Sequence, residues 1–441
     1  MYCWGHQTGG KTAAPSGISG WIRRIHMDTQ QSRASAYRWL LICASFIIMM
    51  IISIYQYSWF LFAYAIESQL QWDLATIGLT FTIFAYAATF VQPFSGYIAD
   101  SYGPRRVGVV ASFLVGIGFI LASFASSPPV FYLFYGMGGL GVGILYGIST
   151  ASAVKWFPDS RGFATGLVVF GFGAGTAIFN WLIQNLLDSK GLNTTLMLLG
   201  LLMLITLVPL SLLYAYPQEG RSSSFASGRR EVRSSVDYKP SEMLVTYQWF
   251  LIYFSFAVTV SIVLMFGAQM KMLAREFNIP TGYFSPVLVL FPLGNGLSRV
   301  FSGAISDTLG REKTMVLFYS LLGLSILSFV MLARIPVLFV VIVFIAALLG
   351  GAPFALYPVT IGDYYGPRYA TTNYGITYTA KAWAGLISGW LSGYLVIEFG
   401  SYKVLLVVVG ISSLVAAALS NPRLMKAPTK KRSAPILDTM D

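Results

Sequence analysis

The chain has 441 residues, 56% apolar and 10% charged, whereas an ordinary soluble domain is about a quarter charged; a string of soluble domains is excluded. Its 29 Lys and Arg against 17 Asp and Glu leave a net charge of +12, which in so apolar a chain points to membrane topology, not to nucleic acid. Two cysteines, Cys3 and Cys43, exclude a disulfide framework and a cysteine zinc site.

Residues 1–36 are polar, basic and rich in Gly and Ser, without a cleavable signal. They are expected to form a disordered cytoplasmic tail, with Met27 an alternative start. A bilayer core of about 30 Å needs roughly 20 apolar residues per helix. Windows of that kind predict twelve spans, near 37–66, 74–99, 106–126, 130–155, 161–187, 193–216, 246–270, 282–306, 313–333, 336–362, 369–397 and 402–420. Residues 217–245, Ser- and Arg-rich and without an apolar face, are expected to be a cytoplasmic linker between the bundles 37–216 and 246–420; residues 421–441 form a C-terminal tail. With both termini inside, 22 Lys and Arg fall in cytoplasmic segments and five in outer loops, a strong positive-inside bias.

The bundles repeat one another. "FSGYIAD" (Phe94 to Asp100) recurs as "FSGAISD" (Phe301 to Asp307), offset by 207, and Pro158 and Gly166 recur as Pro367 and Gly375, offset by 209. The fold class expected is an all-α membrane protein of twelve helices in two pseudo-symmetric six-helix bundles.

Two cations lie within spans, Arg299 and Lys381. A cation at a helix centre costs about 2.5–3.5 kcal/mol on insertion scales, so it marks a functional site by default. A structural ion pair is the bland alternative, but all 17 carboxylates lie in tails, loops or span ends. Snorkelling suits Arg299, eight residues from Asp307, better than Lys381, thirteen from Arg368. Their repeat mates are Gln92 and Phe172, so a packing need common to both bundles does not require the cations. A guanidinium fork and a compact ammonium match a small carboxylate, and two charges favour a short dicarboxylate without excluding monocarboxylates. Tyr374 and Tyr378 share a helical face with Lys381, and Asn295 lies one turn from Arg299.

"GMGGLG" (Gly136 to Gly141) fits a dinucleotide fingerprint, but no strand precedes it. Gly139, Gly143 and Gly147 read instead as a stripe for close helix packing. No nucleophile elbow, metal-ligand cluster or phosphate loop is present, and His6 and His26 are in the tail. No enzyme activity, cofactor or metal is expected.

"GYIADSYGPRR" (Gly96 to Arg106) and "GAISDTLGREK" (Gly303 to Lys313) resemble the signature loops of the major facilitator superfamily. "YQYSW" (Tyr55 to Trp59), "YGI" with "WFPDSRGFATG" (Tyr146 to Gly166), "GNGLSRVFSGAISDTLGREKT" (Gly294 to Thr314) and "NYGITYTAKAW" (Asn373 to Trp383) are similar to its oxalate/formate antiporter family. The resemblance implies a secondary transporter of small organic anions such as oxalate or formate, acting by exchange through alternating access. It also implies that Gln56 and Tyr57 join Arg299, Lys381, Tyr374, Tyr378 and Asn295 in the substrate site. "GGAPFALYP" (Gly350 to Pro358) departs from relatives that carry a Trp in this region. Asp100, Arg105, Arg106, Asp307, Arg311 and Lys313 are expected to form a conformational latch, against the alternative of a plain turn with topogenic charges. Proton-coupled monocarboxylate uptake is a second expectation, weakened because the monocarboxylate transporter family has an Asp where Asn295 stands; a non-transporting anion sensor is a third. The expected partners are a small carboxylate and the bilayer, without nucleic acid, for a monomer in the plasma (inner) membrane.

Overall fold

The computed structural model describes residues 36–217, 237–388 and 392–429. The expected N-terminal tail with Met27, most of the linker and the end of the C-terminal tail lie outside the described residues. The chain divides into two compact units, residues 1–41 and 42–441, and the site and packing described below belong to the second.

The described residues are helical, without strands. The first half contains α1 (Ala36–Tyr57), α2 (Trp59–Leu70), α3 (Leu74–Tyr102), α4 (Pro104–Ala122), α5 (Pro128–Trp156) and α6 (Arg161–Leu212). The second contains α7 (Pro240–Leu244), α8 (Tyr247–Glu276), α9 (Thr281–Leu309), α10 (Arg311–Leu332), α11 (Pro336–Gly350), α12 (Pro353–Tyr365), α13 (Ala370–Tyr378), α14 (Ala380–Leu386), α15 (Ser392–Phe399) and α16 (Tyr402–Leu419). Ten helices among the described residues are long and apolar enough to cross a membrane, against twelve expected spans. The difference has two sources. Expected spans five and six are both present within Arg161–Leu212, two helices that follow each other directly across the non-helical Gly191 (φ 75°, ψ 175°) and so count as one. The expected eleventh span is divided into α13, α14 and α15, each too short to cross by itself.

Local chemistry sets the helix ends. Asp73 caps α3 by accepting from the Thr76 N–H, satisfying one orphan donor of the first turn. The mate glycines Gly103 and Gly310 turn the chain at φ 90° and 102° into α4 and α10, a conformation that a Cβ disfavours.

The glycine stripe on α5 packs against α3. A Cβ on Gly139 would come within 2.8 Å of the Phe84 carbonyl oxygen, and one on Gly143 within 2.7 Å of the Ala88 carbonyl carbon; Gly147 faces the Gln92 amide. Residues 84, 88 and 92 share the four-residue period of 139, 143 and 147, so one stripe lies along another.

The halves meet through repeat mates. On one side of the interface a Cβ on Gly96 of α3 would lie 2.8 Å from the Thr371 carbonyl of α13, and one on Gly375 would lie 2.7 Å from the Gln92 carbonyl. On the other side Gly303 of α9 and Gly162 of α6 face each other's carbonyls, and Gly166 faces that of Arg299. Under the offsets of 207 and 209 these are equivalent contacts. Backbone so close to backbone places the middles of α9 and α13–α14 against the first half, where the two intramembrane cations sit.

Candidate functional site

Arg299, midway along α9, is 1% exposed. Its Nη1 donates to the Val169 carbonyl of α6 at 2.8 Å, and Nη2 donates to Asn295 Oδ1 at 3.0 Å with the Tyr57 hydroxyl at 3.5 Å. The Phe354 ring lies 4.8 Å from Cζ, a cation–π contact. The reach to Val169 follows from its flanking glycines. Gly166 packs on the Arg299 backbone, and a Cβ on Gly173 would lie 3.2 Å from the Gly296 Cα, so α6 and α9 approach too closely to admit larger residues.

Lys381 enters from α14. Its Nζ donates to the Tyr378 hydroxyl at 3.1 Å and to Gln56 Oε1 at 3.3 Å, 5.2 Å from the Tyr378 ring centroid. Each cation of the second half therefore donates to groups of the first. Aromatic rings fill the space around them. Tyr146 of α5 lies 5.2 Å from Tyr378, and Tyr374 lies 5.6 Å from Tyr378. Phe172, the repeat mate of Lys381, meets Tyr57 at 5.4 Å and Tyr146 at 5.3 Å, edge to face.

All seven residues expected in the substrate site, Gln56, Tyr57, Asn295, Arg299, Tyr374, Tyr378 and Lys381, thus fall in one cluster across the interface. Trp59 of the same motif lies elsewhere, stacked on Phe81. Four residues of the cluster were not anticipated. Tyr146 stood inside a quoted motif; Phe354 stood in the segment that departs from relatives; Phe172 had been read only as a mate; Val169 acts through a backbone carbonyl, which leaves no mark in sequence.

The electrostatics are one-sided. Among the described residues the ion pairs lie elsewhere and no carboxylate pairs with Arg299 or Lys381. Arg299 Nε, Asn295 Nδ2 and the hydroxyls of Tyr146 and Tyr374 are buried without a partner in hydrogen-bonding geometry. Such groups cost about 1–3 kcal/mol each when unmet. All four groups donate or can donate, so the arrangement can bind an acceptor-rich anion.

A second cluster joins the halves at the end of the interface that carries the signature loops. Asp100 accepts from Lys155 Nζ at 2.7 Å, Thr371 Oγ1 at 2.6 Å, and the N–H and hydroxyl of Thr372, each at 2.8 Å. Its mate Asp307 accepts from the Gly162 and Phe163 N–H groups at 2.9 and 2.8 Å; positions 162 and 163 are the mates of 371 and 372. Arg311 bridges Asp307 at 2.6 Å and Asp363 at 2.8 Å, and Arg161 also pairs with Asp363.

Three residues expected in the latch stand outside these networks in this structure. Arg105, Arg106 and Lys313 are exposed and take no part in these networks. The reason lies at the fourth residue after each aspartate. Arg311 stands there after Asp307, but Pro104 stands there after Asp100 and has nothing to donate, so Lys155 of α5 takes the place. Lys155, Arg161, Asp363, Thr371 and Thr372 carry no mark of this role in sequence, because each lies far along the chain from the aspartate or arginine it meets. Nor are the pairs surface bridges: the Lys155 and Asp100 side chains are 5% and 1% exposed, and breaking a buried pair costs about 3–5 kcal/mol.

The family model described as Major Facilitator Superfamily matches residues 41–272 and 249–437. The chain is 31% identical over 399 residues to an oxalate:formate antiporter of Oxalobacter formigenes, covering 89% of this chain and 94% of the relative. It is 35% identical over 380 residues to an uncharacterised 38 kDa protein of Thermoproteus tenax, covering 86% and 94%. A solved structure of the proton:xylose symporter XylE superposes with a TM-score of 0.66 at 13% identity, covering 87% of this chain and 95% of that one.

Proposed function

The chain belongs to the Major Facilitator Superfamily as an oxalate:formate antiporter-like, multi-pass membrane protein, and from that premise we propose that it exchanges small carboxylates across the membrane by alternating access. The carrying observation is the pair of interface cations, buried Arg299 and half-buried Lys381, without a carboxylate partner among the described residues, beside the unpartnered Arg299 Nε, Asn295 Nδ2 and hydroxyls of Tyr146 and Tyr374. One carboxylate would bind Arg299 and the other end of the ligand Lys381, with Gln56, Tyr57, Tyr374, Tyr378 and Asn295 completing the site. Two cations favour a short dicarboxylate, because a monocarboxylate leaves one positive charge unmatched at low dielectric. Identity to the oxalate:formate antiporter supports the same substrate class.

In our reading the signature-loop end faces the cytoplasm, as do both termini, and the halves 37–216 and 246–420 rock about the central site in the plasma membrane. Asp100, Lys155, Asp307, Arg311, Arg161 and Asp363 form the cytoplasmic latch. Both halves of the site come from one chain, so a monomer suffices.

The bonds from Arg299 to Val169 and from Lys381 to Gln56 support exchange over net uptake. An empty carrier that rocks must break them and strand two buried charges, whereas bound substrate takes over their donors. Asn295 bonds Arg299 as an amide and has no proton to trade, which weighs against proton coupling. Liposomes preloaded with oxalate are expected to take up labelled oxalate far faster than empty ones. Equal rates, or uptake by empty liposomes driven by a proton gradient, would refute exchange.

A further inference from the structure

Both ends of the stretch between the halves reach the junction of α12 and α13, one at the first turn of α13 and the other at the loop before it. At its start, Trp156 Nε1 holds the Ala215 carbonyl at 2.7 Å and the Tyr214 hydroxyl bonds Ser149 at 2.6 Å, fixing residues 214–215 to the first half. The next residue, Tyr216, crosses over. Its hydroxyl lies 2.8 Å from Thr371 Oγ1, and its ring lies under the Lys155 ammonium at 3.8 Å from the centroid.

Counting hydrogens orients this contact. Thr371 has a single hydroxyl proton and gives it to Asp100, whose carboxylate accepts only. Tyr216 therefore donates to Thr371, and Tyr216, Thr371, Asp100 and Lys155 close a ring of contacts spanning both halves. Burial pushes the Tyr216 phenol well above its ordinary range, so it remains a neutral donor.

At the far end of the segment, Asp237 Oδ1 accepts from the Arg368 N–H at 3.1 Å, the Tyr238 N–H donates to the Tyr365 carbonyl at 2.9 Å, and Asn373 Nδ2 donates to the Tyr238 carbonyl at 3.1 Å. Asp237 also lies against Gly366, leaving no room for a Cβ there. The residue so held matters, because the Arg368 carbonyl accepts from Lys155 at 3.2 Å.

The repeat supplies an internal control. Under the 209 offset, Lys155 and Tyr216 correspond to Tyr364 and Met425. These also touch, the Tyr364 hydroxyl lying 2.8 Å from the Met425 carbonyl and 2.6 Å from Glu312 Oε1, but all three lie in the second half. A chain exit tucked beneath its own bundle is thus common to the repeats. Only the exit that leads into the joining segment crosses the interface.

We infer that Tyr216 and Asp237, which flank the stretch between the halves, are positioning residues of the latch that closes the cytoplasmic side. This rests on the alternating-access reading. Opening that side must break the Tyr216–Thr371 bond, while Asp237 and Tyr238 travel with the second half and keep the Arg368 and Thr371 loop in shape for resealing.

The test uses electron–electron distance measurements on the full chain, with Cys3 and Cys43 replaced by Ser and spin labels at Arg106→Cys and Lys313→Cys, which are exposed and outside the networks. Tyr216→Phe keeps the ring under Lys155 and removes the donated proton; Asp237→Ala removes the anchor. Each is expected to raise the population with a wide cytoplasmic separation several-fold over the parent, with an unchanged melting profile of Tyr216→Phe separating gating from folding. Asp100→Asn, in the latch itself, calibrates the measurement. If Asp100→Asn widens the distribution and both linker-end variants retain the parental one, the inference is overturned. If Asp100→Asn leaves it unchanged, the rocking reading falls as well.

Discussion

Arg299 is held by neutral acceptors alone, the Val169 carbonyl, Asn295 and Tyr57, and that choice of partners keeps its charge available. An aspartate in place of Asn295 would pair with the guanidinium whenever it is ionised; an amide orients it and leaves the charge for a ligand. Arg299→Lys is expected to lower exchange about 100-fold or more, because an ammonium cannot reach Val169 and Asn295 with the same planar fork. Phe354→Ala removes the cation–π contact, about 0.5–2 kcal/mol, together with an edge contact to Phe256, and is expected to lower exchange roughly 2- to 30-fold through the first of these. Exchange assays on both variants check the order, and a larger loss in Phe354→Ala would remove Arg299 from the site. The charged members of this cluster were legible in sequence because a cation inside a span is rare and expensive. Val169 was not, since any residue at that position presents the same carbonyl.

At the scale of the element, the interface depends on glycines that let backbone meet backbone. Gly303 and Gly162 face each other's carbonyl oxygens, with no flexible side chain between them to give way. Gly303→Ala is expected to force α9 from α6, lowering thermal stability and raising reactivity of the latch residues toward cytoplasmic probes. Gly78→Ala in α3 is the contrast. Nothing lies within 4 Å of its added Cβ, and relief of the glycine penalty should stabilise by about 0.5–1 kcal/mol. Melting temperatures of the two variants should therefore move in opposite directions; a shared direction would discount the interface contact. The repeat of "FSGYIAD" in "FSGAISD" placed these glycines in equivalent positions. Which carbonyl each one meets depends on how α3 lies on α13 and α9 on α6, which no local pattern encodes. The same limit explains the latch. The aspartates were evident from the motif, but their partners come from α5, α6, α12 and α13, distant in sequence.

At the scale of the molecule, the halves hold a central site that is electropositive and short of acceptors, so a ligand that satisfies it should stabilise the whole. Oxalate at one hundred times its dissociation constant is expected to add about 2.7 kcal/mol, read as a rise in melting temperature, while oxamide, its neutral diamide, should add little. Equal shifts would argue against recognition by charge. The sequence by itself determined the class of protein, the repeat, the positive-inside bias and the two cations out of place, because these follow from local composition and from the cost of charge in hydrocarbon. Tertiary structure alone decided that spans five and six follow each other directly at Gly191, that Lys155 pairs with Asp100, and that Tyr216 reaches across to Thr371. Each depends on groups brought together from far along the chain, where direction and distance, not residue type, select the partner.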